Sequence, residues 1–306
     1  MTHRCVASAQ GFAVLLAAAL VVAAGAVPAR AETAVPARNE AFAAGTAKAA
    51  TGTAEAADQK TIVIDPGHGG LDVGAKGKFG NLEKTVDLAI SLKLKTLIEQ
   101  NMAYRVLLTR DKDIDVSLEN RSALANNNNA VVFISIHANG SFRTATGAET
   151  FYMSLTDLDE ETRKLAYLEN NSSQLETRIS DDGKDAVKMI LWDMAQASYI
   201  KQSASLAEAI QRELPALLTT EGRPSRSLAV ENRGIKQARF KVLTGVACPA
   251  VLVEVAFMSN PEEEQKLIDE DFQTSVAHAI YRGLVSYMRT AGSRPPAPAP
   301  SPAPLP

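Results

Sequence analysis

In Thr61-Ile62-Val63-Ile64-Asp65-Pro66-Gly67-His68-Gly69-Gly70, a short apolar run of β-branched residues leads into a turn rich in proline and glycine. The apolar run predicts a buried strand, and the turn places a histidine directly after it. From Leu82 to Gln100, apolar residues follow at helical spacing. The chain therefore passes from a strand to a helix through a tight polar loop, which is the unit from which α/β folds are built.

The same alternation continues along the chain. Apolar runs predict further strands, and amphipathic segments between them predict helices. The predicted strands are Tyr104 to Leu108, Val131 to Ile136, Ala148 to Met153, one around Val242, and Val251 to Val255; the predicted helices are Val116 to Asn126, Gln202 to Leu218 and two near the C-terminus. We therefore predict an α/β fold, a single three-layer α/β/α domain with a mostly parallel central sheet and helices on both faces.

The first 31 residues have the features of a secretory signal peptide. Arg4 provides a positive charge, an apolar run extends from Phe12 to Val27, and Ala29-Arg30-Ala31 fits a cleavage site. An uncleaved anchor is the alternative, but the apolar run is shorter than the about 20 residues that a spanning helix needs. We therefore predict an exported protein with no stable membrane anchor.

The remaining chain divides by composition. Residues 32–59 are a low-complexity leader with few large apolar side chains, which predicts a flexible segment, and residues 292–306 form a Pro/Ala-rich tail. Between them, residues 60–291 form the predicted catalytic domain. Within it, residues 155–199 are charged and mostly helical, which indicates either an insertion or a crossover with extra helices. The formal net charge is −3, and acidic and basic residues are interspersed without a basic patch. We therefore predict no nucleic-acid binding.

Two histidines follow predicted strands directly: His68 after the first strand, and His137 after Val131 to Ile136. Ligands bind at the carboxyl ends of strands in open α/β sheets, and imidazole is a preferred zinc ligand. Two histidines and one glutamate form a known catalytic zinc set. Glu83, which opens the helix after the His68 loop, is the candidate third ligand, although a first-turn glutamate can also serve only the helix dipole.

Glu254 interrupts the apolar run Val251 to Val255, where an unpaired buried carboxylate would be costly. A glutamate that faces a metal-bound water could act as a general base. The alternative is a strand-end glutamate paired with an arginine or lysine.

Four motifs, read together and in order, resemble those of the zinc-dependent N-acetylmuramoyl-L-alanine amidases. They are Thr61 to Gly70, Asn81-Leu82-Glu83-Lys84, Ser135-Ile136-His137-Ala138-Asn139 and Val253-Glu254-Val255-Ala256-Phe257-Met258-Ser259-Asn260. The resemblance extends from about Lys60 to Thr290. It implies one Zn²⁺ per chain, held by His68, Glu83 and His137.

The resemblance also implies the reaction, which is hydrolysis of the amide between N-acetylmuramic acid and L-alanine in peptidoglycan. Glu254 is then the catalytic residue, which takes a proton from water and passes it to the departing nitrogen. Asn139, Lys236 and Gln237 are candidate substrate-binding residues, the last two in a segment, Asn232 to Ala238, that resembles a family loop near the site. The alternatives are another zinc peptidoglycan peptidase and a non-catalytic wall-binding protein.

The segment from Leu155 to Tyr199 is similar to the inserted helices of the cell-separation amidases of Gram-negative bacteria, especially at Leu165-Ala166-Tyr167-Leu168-Glu169-Asn170. In those enzymes an acidic residue of the insertion occupies the zinc site until a protein activator displaces it. The resemblance implies autoinhibition with Glu169 as the blocking residue, or with Glu161 or Glu176 instead. It also implies a protein activator and a periplasmic location, with the exterior of a Gram-positive cell as the alternative.

Overall fold

The computed structural model describes residues 59–140, 145–154, 160–171, 186–217 and 228–291. The predicted signal peptide, the leader up to residue 58 and the Pro/Ala-rich tail lie outside the described residues. Within the described part of the chain, no helix combines the length and apolar character needed to cross a membrane.

Strands and helices alternate through most of the described chain. The strands are β1 Thr61–Pro66, β2 Arg105–Leu108, β3 Ala130–Asn139, β4 Ala148–Met153, β5 Asn232–Ala238 and β6 Ala250–Phe257. The helices are α1 Glu83–Asn101, α2 Leu118–Asn127, α3 Glu160–Asn170, α4 Ala186–Glu213, α5 Lys241–Thr244, α6 Pro261–Leu267 and α7 Glu270–Ala291.

The strands form one sheet in the order β2-β1-β3-β6-β4-β5. All neighbouring pairs are parallel except β4 with β6, which is antiparallel. The predicted mostly parallel α/β sheet is therefore confirmed. Because β4 and β5 run against the other four strands, the edge that carries the carboxyl ends of β1, β3 and β6 carries the beginnings of β4 and β5.

Helices cover both faces of the sheet because successive strand residues point to opposite sides. On one face, α1, α4 and α7 pack on a large apolar core that includes Ile62, Ile134 and Val253. On the other face, α2, α3 and α5 pack on a smaller core that includes Phe133 and Leu252. Strands buried on both sides explain the nearly continuous apolar runs in the sequence.

One predicted strand is wrong. Val242 lies in the short helix α5, and the strand of this region is β5, which comes earlier. The edge strand β5 is polar and contains Gly234, so it lacks the apolar β-branched run by which strands are recognised. Val242 and Leu243 are apolar because α5 buries them, and a run this short does not distinguish a buried helical turn from a strand.

Candidate metal centre

Polar residues replace apolar ones on one face of the sheet as the strands reach the edge described above. On β3, the side chains on this face change from Phe133 to Ser135 and His137, and on β6 they change from Leu252 to Glu254. The face that is apolar under α2 and α5 thus becomes a buried polar surface at the carboxyl ends of the central strands. This is the place where open α/β sheets bind ligands.

Two buried arginines fix the backbone around His68. Arg121 donates to the carbonyl oxygens of Pro66 and His68, at 2.7 Å each, and Arg110 donates to those of Pro66 and Gly67. His68 has a φ of 58°, which side-chain-bearing residues rarely adopt. The arginine contacts offset the cost of this conformation and hold the imidazole over the sheet edge.

Glu83 is the first residue of α1, and its carboxylate points back toward the end of β3. Its Oε1 accepts from the backbone N–H of Ala138 at 3.0 Å, and its Oε2 accepts from that of Ala75 at 2.6 Å. Glycine at position 74 permits this approach, because a Cβ there would lie 2.5 Å from the His68 ring and 2.6 Å from Glu83 Oε2. The glycine-rich loop therefore brings Glu83 beside His68, as the sequence predicts.

The polar atoms of these three residues converge on one point. Oε1 of Glu83 lies 3.1 Å from Nε2 of His68 and 3.1 Å from Nδ1 of His137. Zinc bonds of about 2.0–2.1 Å in a tetrahedral site separate the ligand atoms by about 3.3 Å. The three residues are therefore placed to hold a tetrahedral divalent metal ion, and Asp87 lies close enough to be part of the same group.

Further contacts set the state of the His68 ring. Its Nδ1 lies 3.0 Å from both carboxylate oxygens of Asp72, which can accept a hydrogen bond from it, and its Nε2 faces Glu83 and His137. Among the described residues, Nε2 of His68 is buried with no hydrogen-bond partner. A buried imidazole nitrogen aimed at a carboxylate and a second imidazole is the donor arrangement that suits a metal ion.

The ionisable groups shift each other strongly. Burial lowers the pKa of His68, but the nearby Glu83 and Glu169 more than offset this, so its pKa is raised well above the usual value. Burial raises the pKa of Glu83, but the charge of His68 and the hydrogen bond from His137 overcome it, so its pKa is far below the usual value. The two imidazoles thus keep the carboxylate of Glu83 ionised. A carboxylate must be ionised to bind a metal ion.

Glu254 is buried in β6, directly opposite His137 of β3. Neither of its carboxylate oxygens has a hydrogen-bond partner among the described residues, so the ion-paired alternative is not what the structure shows. Burial, together with the charges of Glu169 and Glu83, raises its pKa well above the usual value. Glu254 therefore lies in the same cluster without serving as a structural ion pair.

Glu169 of α3 reaches the same point from the other side. Its Oε2 lies 3.3 Å from Nε2 of His68 and 3.3 Å from Nδ1 of His137, which is the spacing of a fourth tetrahedral ligand. Glu161, the alternative blocking residue, is eight positions earlier on α3 and pairs with Arg233 instead. Glu176 lies outside the described residues.

The end of α3 is fastened to the chain around α5. The side chain of Asn170 donates to the carbonyl of Arg239 at 2.9 Å and accepts from the backbone N–H of Lys241 at 2.7 Å. Leu165 and Ala166 of α3 are buried against the smaller core. These contacts fix the helix, and hence Glu169, over the sheet edge.

The predicted substrate-binding residues separate into two groups. Asn139 and Lys236 meet at the buried Glu149, to which they donate at 3.1 Å and 2.8 Å. Gln237, the next residue on β5, instead donates to the hydroxyl of Tyr152. Neighbouring residues of a strand point to opposite faces, so Gln237 lies on the face away from the metal centre.

Sequence reasoning missed Asp87 and Glu149. Asp87 is fully buried on α1 with no hydrogen-bond partner among the described residues, and burial beside Glu83 raises its pKa well above the usual value. Its signal in the sequence is an acid four residues after Glu83, next to Val86 and among the apolar residues of the buried face of α1. Glu149 carries a similar signal, since it lies on the inward face of a predicted strand.

Comparison with known proteins agrees with this geometry. Residues 62–286 match the family model described as N-acetylmuramoyl-L-alanine amidase. The chain is 35% identical over 227 residues to the amidase AmiC of Escherichia coli O6:H1, covering 74% of this chain and 52% of AmiC. It is 34% identical over 231 residues to AmiA of Escherichia coli K12, covering 75% of this chain and 76% of AmiA. The chain thus spans about half the length of one curated relative and three quarters of the other.

The solved structures include a close match to the fold. The crystal structure of N-acetylmuramoyl-L-alanine amidase from Clostridium difficile 630 superposes with a TM-score of 0.55 at 30% sequence identity, covering 76% of this chain and 98% of that one. The residues matched by the family model include His68 after β1, His137 on β3 and Glu254 on β6. The chain therefore belongs to the N-acetylmuramoyl-L-alanine amidases, a family of hydrolases.

Proposed function

We propose that this protein hydrolyses the amide bond between N-acetylmuramic acid and L-alanine in peptidoglycan, in a zinc-dependent reaction. The observation that carries the proposal is the convergence of His68 Nε2, His137 Nδ1 and Glu83 Oε1 beside the unpaired carboxylate of Glu254. The family to which the chain belongs supports the choice of substrate. We also propose a role in cell-wall remodelling or daughter-cell separation, which rests on the resemblance of residues 155–199 to the inserted helices of the cell-separation amidases.

Under this proposal, His68, Glu83 and His137 hold one Zn²⁺ ion. An ion held there would supply Lewis-acid chemistry, polarising the scissile carbonyl and making water a stronger nucleophile at neutral pH. The chain positions its ligands rigidly: Asp72 orients His68, and the backbone N–H groups of Ala75 and Ala138 orient Glu83. Mixed imidazole and carboxylate ligands suit zinc.

Glu254 is proposed as the residue that moves the proton. Among the described residues, its carboxylate oxygens have no hydrogen-bond partner. Glu254 of β6 is paired with His137 of β3, so the two side chains lie side by side on the sheet. It accepts a proton from the attacking water and delivers it to the nitrogen of L-alanine as that nitrogen departs. One carboxylate thus serves both steps, and the site needs no second acid.

We further propose that α3 blocks the site. Glu169 Oε2 lies at the position that water or the scissile carbonyl would take beside His68 and His137. A carboxylate there would act as a further ligand and would exclude the substrate. An activator protein that binds the segment 155–199 would release the block, and export to the periplasm would bring the enzyme to its substrate.

Hydrolysis of purified peptidoglycan by the zinc-loaded protein tests the activity, with Glu254→Gln as the inactive form and mass analysis of the released peptides. Free stem peptides that begin with L-alanine are expected. Cleavage inside the stem peptide would instead identify a peptidoglycan peptidase. Binding to peptidoglycan without any release, by the parent protein and also by the Glu169→Gln variant in which the proposed block is removed, would identify a wall-binding protein.

Autoinhibition is tested by Glu169→Gln, with Glu160→Gln as the matched control on the exposed side of the same helix. The first substitution removes the charge beside His68 and His137, so basal hydrolysis should rise by about tenfold or more, whereas the control should leave it unchanged. An equal rate for both variants and the parent protein would contradict the block.

A further inference from the structure

A second group of charges lies next to the metal centre, at the start of β4 and β5. The buried Glu149 accepts from Arg233 Nε at 2.8 Å and from Lys236 Nζ at 2.8 Å, both at Oε2, and from Asn139 at Oε1. Glu149 lies directly opposite Glu254 in the antiparallel pairing of β4 with β6. The cation pair is therefore one strand away from the proposed catalytic residue.

A cavity of about 320 Å³ connects this group to α3. It is lined by Asn139, Glu149 and Lys236 from the sheet and by one side of α3, including Glu161. The polar side chains of Asn139, Glu149 and Lys236 line the cavity on the side of the sheet, and α3, the helix that carries Glu169, covers the opposite side. Displacement of α3 would open it into a groove along Asn139, Glu149 and Lys236.

The α3 helix contributes one of the carboxylates that face the two cations. Arg233 Nη2 lies 3.2 Å from Glu161 Oε1 of α3, whereas Arg233 Nε and Lys236 Nζ donate to Glu149 of the sheet. Glu149 does not require both cations, because Lys236 and Asn139 already donate to its two oxygens. Removal of α3 would therefore take away the carboxylate that faces the outer nitrogen of Arg233.

Two of the three acids of α3, Glu169 and Glu161, face two different parts of the site. Glu169 lies at the metal centre and Glu161 at Arg233, and eight residues of helix separate them by about 12 Å along its axis. An extended peptide covers about 12 Å in three to four residues. A stem peptide whose first amide bond lies at the metal centre would thus place one of its free carboxylates near Arg233.

We propose that Arg233 and Lys236 form a binding site for a free carboxylate of the stem peptide, and that Glu161 occupies this site while α3 is closed. The inference rests on the proposed function, because that function supplies the peptide. The planar guanidinium of Arg233, oriented by Glu149 through Nε, presents its outer nitrogen atoms to a carboxylate. In the closed form, α3 therefore imitates the substrate at two positions, a metal-directed oxygen and a carboxylate.

The test uses the zinc-loaded full-length protein with Glu161→Gln and Glu169→Gln, which removes the two acids of α3 that pair with Arg233 and face the metal centre, and which serves as the parent. Binding of the stem tripeptide L-Ala-γ-D-Glu-diaminopimelate is measured by calorimetry and compared with analogues in which one carboxylate is replaced by a carboxamide. Arg233→Gln and Arg233→Lys are then added to the parent. Arg282→Gln, whose partner Glu213 lies outside the site, is the matched control.

One of the carboxamide analogues is expected to bind the parent about tenfold more weakly than the tripeptide acid does. The carboxylate replaced in that analogue is the one that the protein recognises. Arg233→Gln should weaken binding of the acid by the same factor and leave binding of that carboxamide unchanged, since the interaction is already lost. Arg233→Lys should restore part of the preference, and Arg282→Gln should change nothing. Equal weakening of acid and carboxamide by Arg233→Gln, or no binding to the parent, would overturn the inference.

Hydrolysis of the corresponding muropeptides is followed in parallel and separates the two proposals. Carboxylate-selective binding without hydrolysis would overturn the amidase activity and leave the carboxylate site standing. Hydrolysis that ignores the carboxamide, with Arg233→Gln acting on both substrates alike, would overturn the carboxylate site and leave the activity standing.

Discussion

Glu254 of β6 and His137 of β3 face each other as paired residues of neighbouring parallel strands. The pairing sets both side chains at the same height on the same face of the sheet, with one at the proposed metal centre and the other beside it. Each is held by the backbone of a central strand rather than by a loop. Their relative position is therefore as rigid as the sheet itself.

Glu254→Gln is expected to abolish proton transfer while keeping the fold. The rate of hydrolysis should fall by about 10²- to 10⁴-fold, because the amide neither accepts nor returns the water proton. The free energy of unfolding should not decrease, since the carboxylate has no hydrogen-bond partner to lose among the described residues. Steady-state kinetics, metal content and denaturant unfolding check the three statements. A loss of bound zinc in the variant would show instead that Glu254 is a ligand.

Asn170→Ala is expected to loosen the end of α3. The substitution removes the hydrogen bonds to Arg239 O and from Lys241 N, which fix the helix beside Glu169. Basal hydrolysis should rise, but by less than in Glu169→Gln, because the blocking carboxylate remains. Hydrogen exchange of the amides of residues 165–170 should become faster in parallel. Unchanged exchange together with unchanged activity would show that the anchor lies elsewhere.

Glu264→Gln is expected to weaken metal binding from a distance. The carboxylate of Glu264, on α6, accepts from the backbone N–H of Phe79 at 3.0 Å and from the side chain of Asn81 at 2.8 Å, just before Glu83. A glutamine cannot accept all these bonds, so the loop should loosen and zinc affinity should fall by about tenfold. Competition with a chelator measures the affinity.

Glu262→Gln is the matched control, since Glu262 lies on the exposed side of the same helix. If both variants bind zinc as tightly as the parent protein, the loop does not depend on Glu264.

Asp65→Asn is expected to destabilise the fold in a pH-dependent manner. Burial raises the pKa of Asp65, but Arg121, Thr109 and Ser135 together outweigh it, so the folded pKa lies below the usual value. The ionised form therefore stabilises the fold at pH values above about 4, and this contribution is lost as the pH falls through the folded pKa. The variant should be less stable by about 3 kcal/mol at pH 7, and the difference should shrink in acid.

Thermal or denaturant unfolding from pH 3 to pH 7 measures this difference. A difference that stays constant with pH would show that the substitution acts through packing and not through the charge.

The sequence predicts the central strands well, and it singles out the candidate site residues, for a physical reason. Buried strands such as β3 and β6 need continuous apolar runs, and a polar residue inside or directly after such a run is conspicuous. His137 and Glu254 stand out in this way. His68 does so because proline and glycine mark the turn in which it lies.

The sequence predicts the edge of the sheet and the outer contacts less well. β5 is an edge strand that is only partly buried, so packing does not impose an apolar pattern on it, and the strand was wrongly predicted around Val242 instead. The pairing of Arg233 with Glu149 and Glu161 joins three separate parts of the chain. Contacts between distant charged residues leave no periodic signal in a single sequence.

The alignment of His137, Glu254 and Glu149 across three neighbouring strands limits which changes of chain length the protein can accept. Substitutions alter one side chain at a time, but the loss or gain of one residue between Ala250 and Glu254 would turn every later side chain of β6 to the opposite face. The carboxylate would then point into the apolar layer under α1 and α7, and Val253 or Val255 would face the metal centre. We expect surviving variants from a library of insertions and deletions to spare this segment and to accumulate changes in the surface loops.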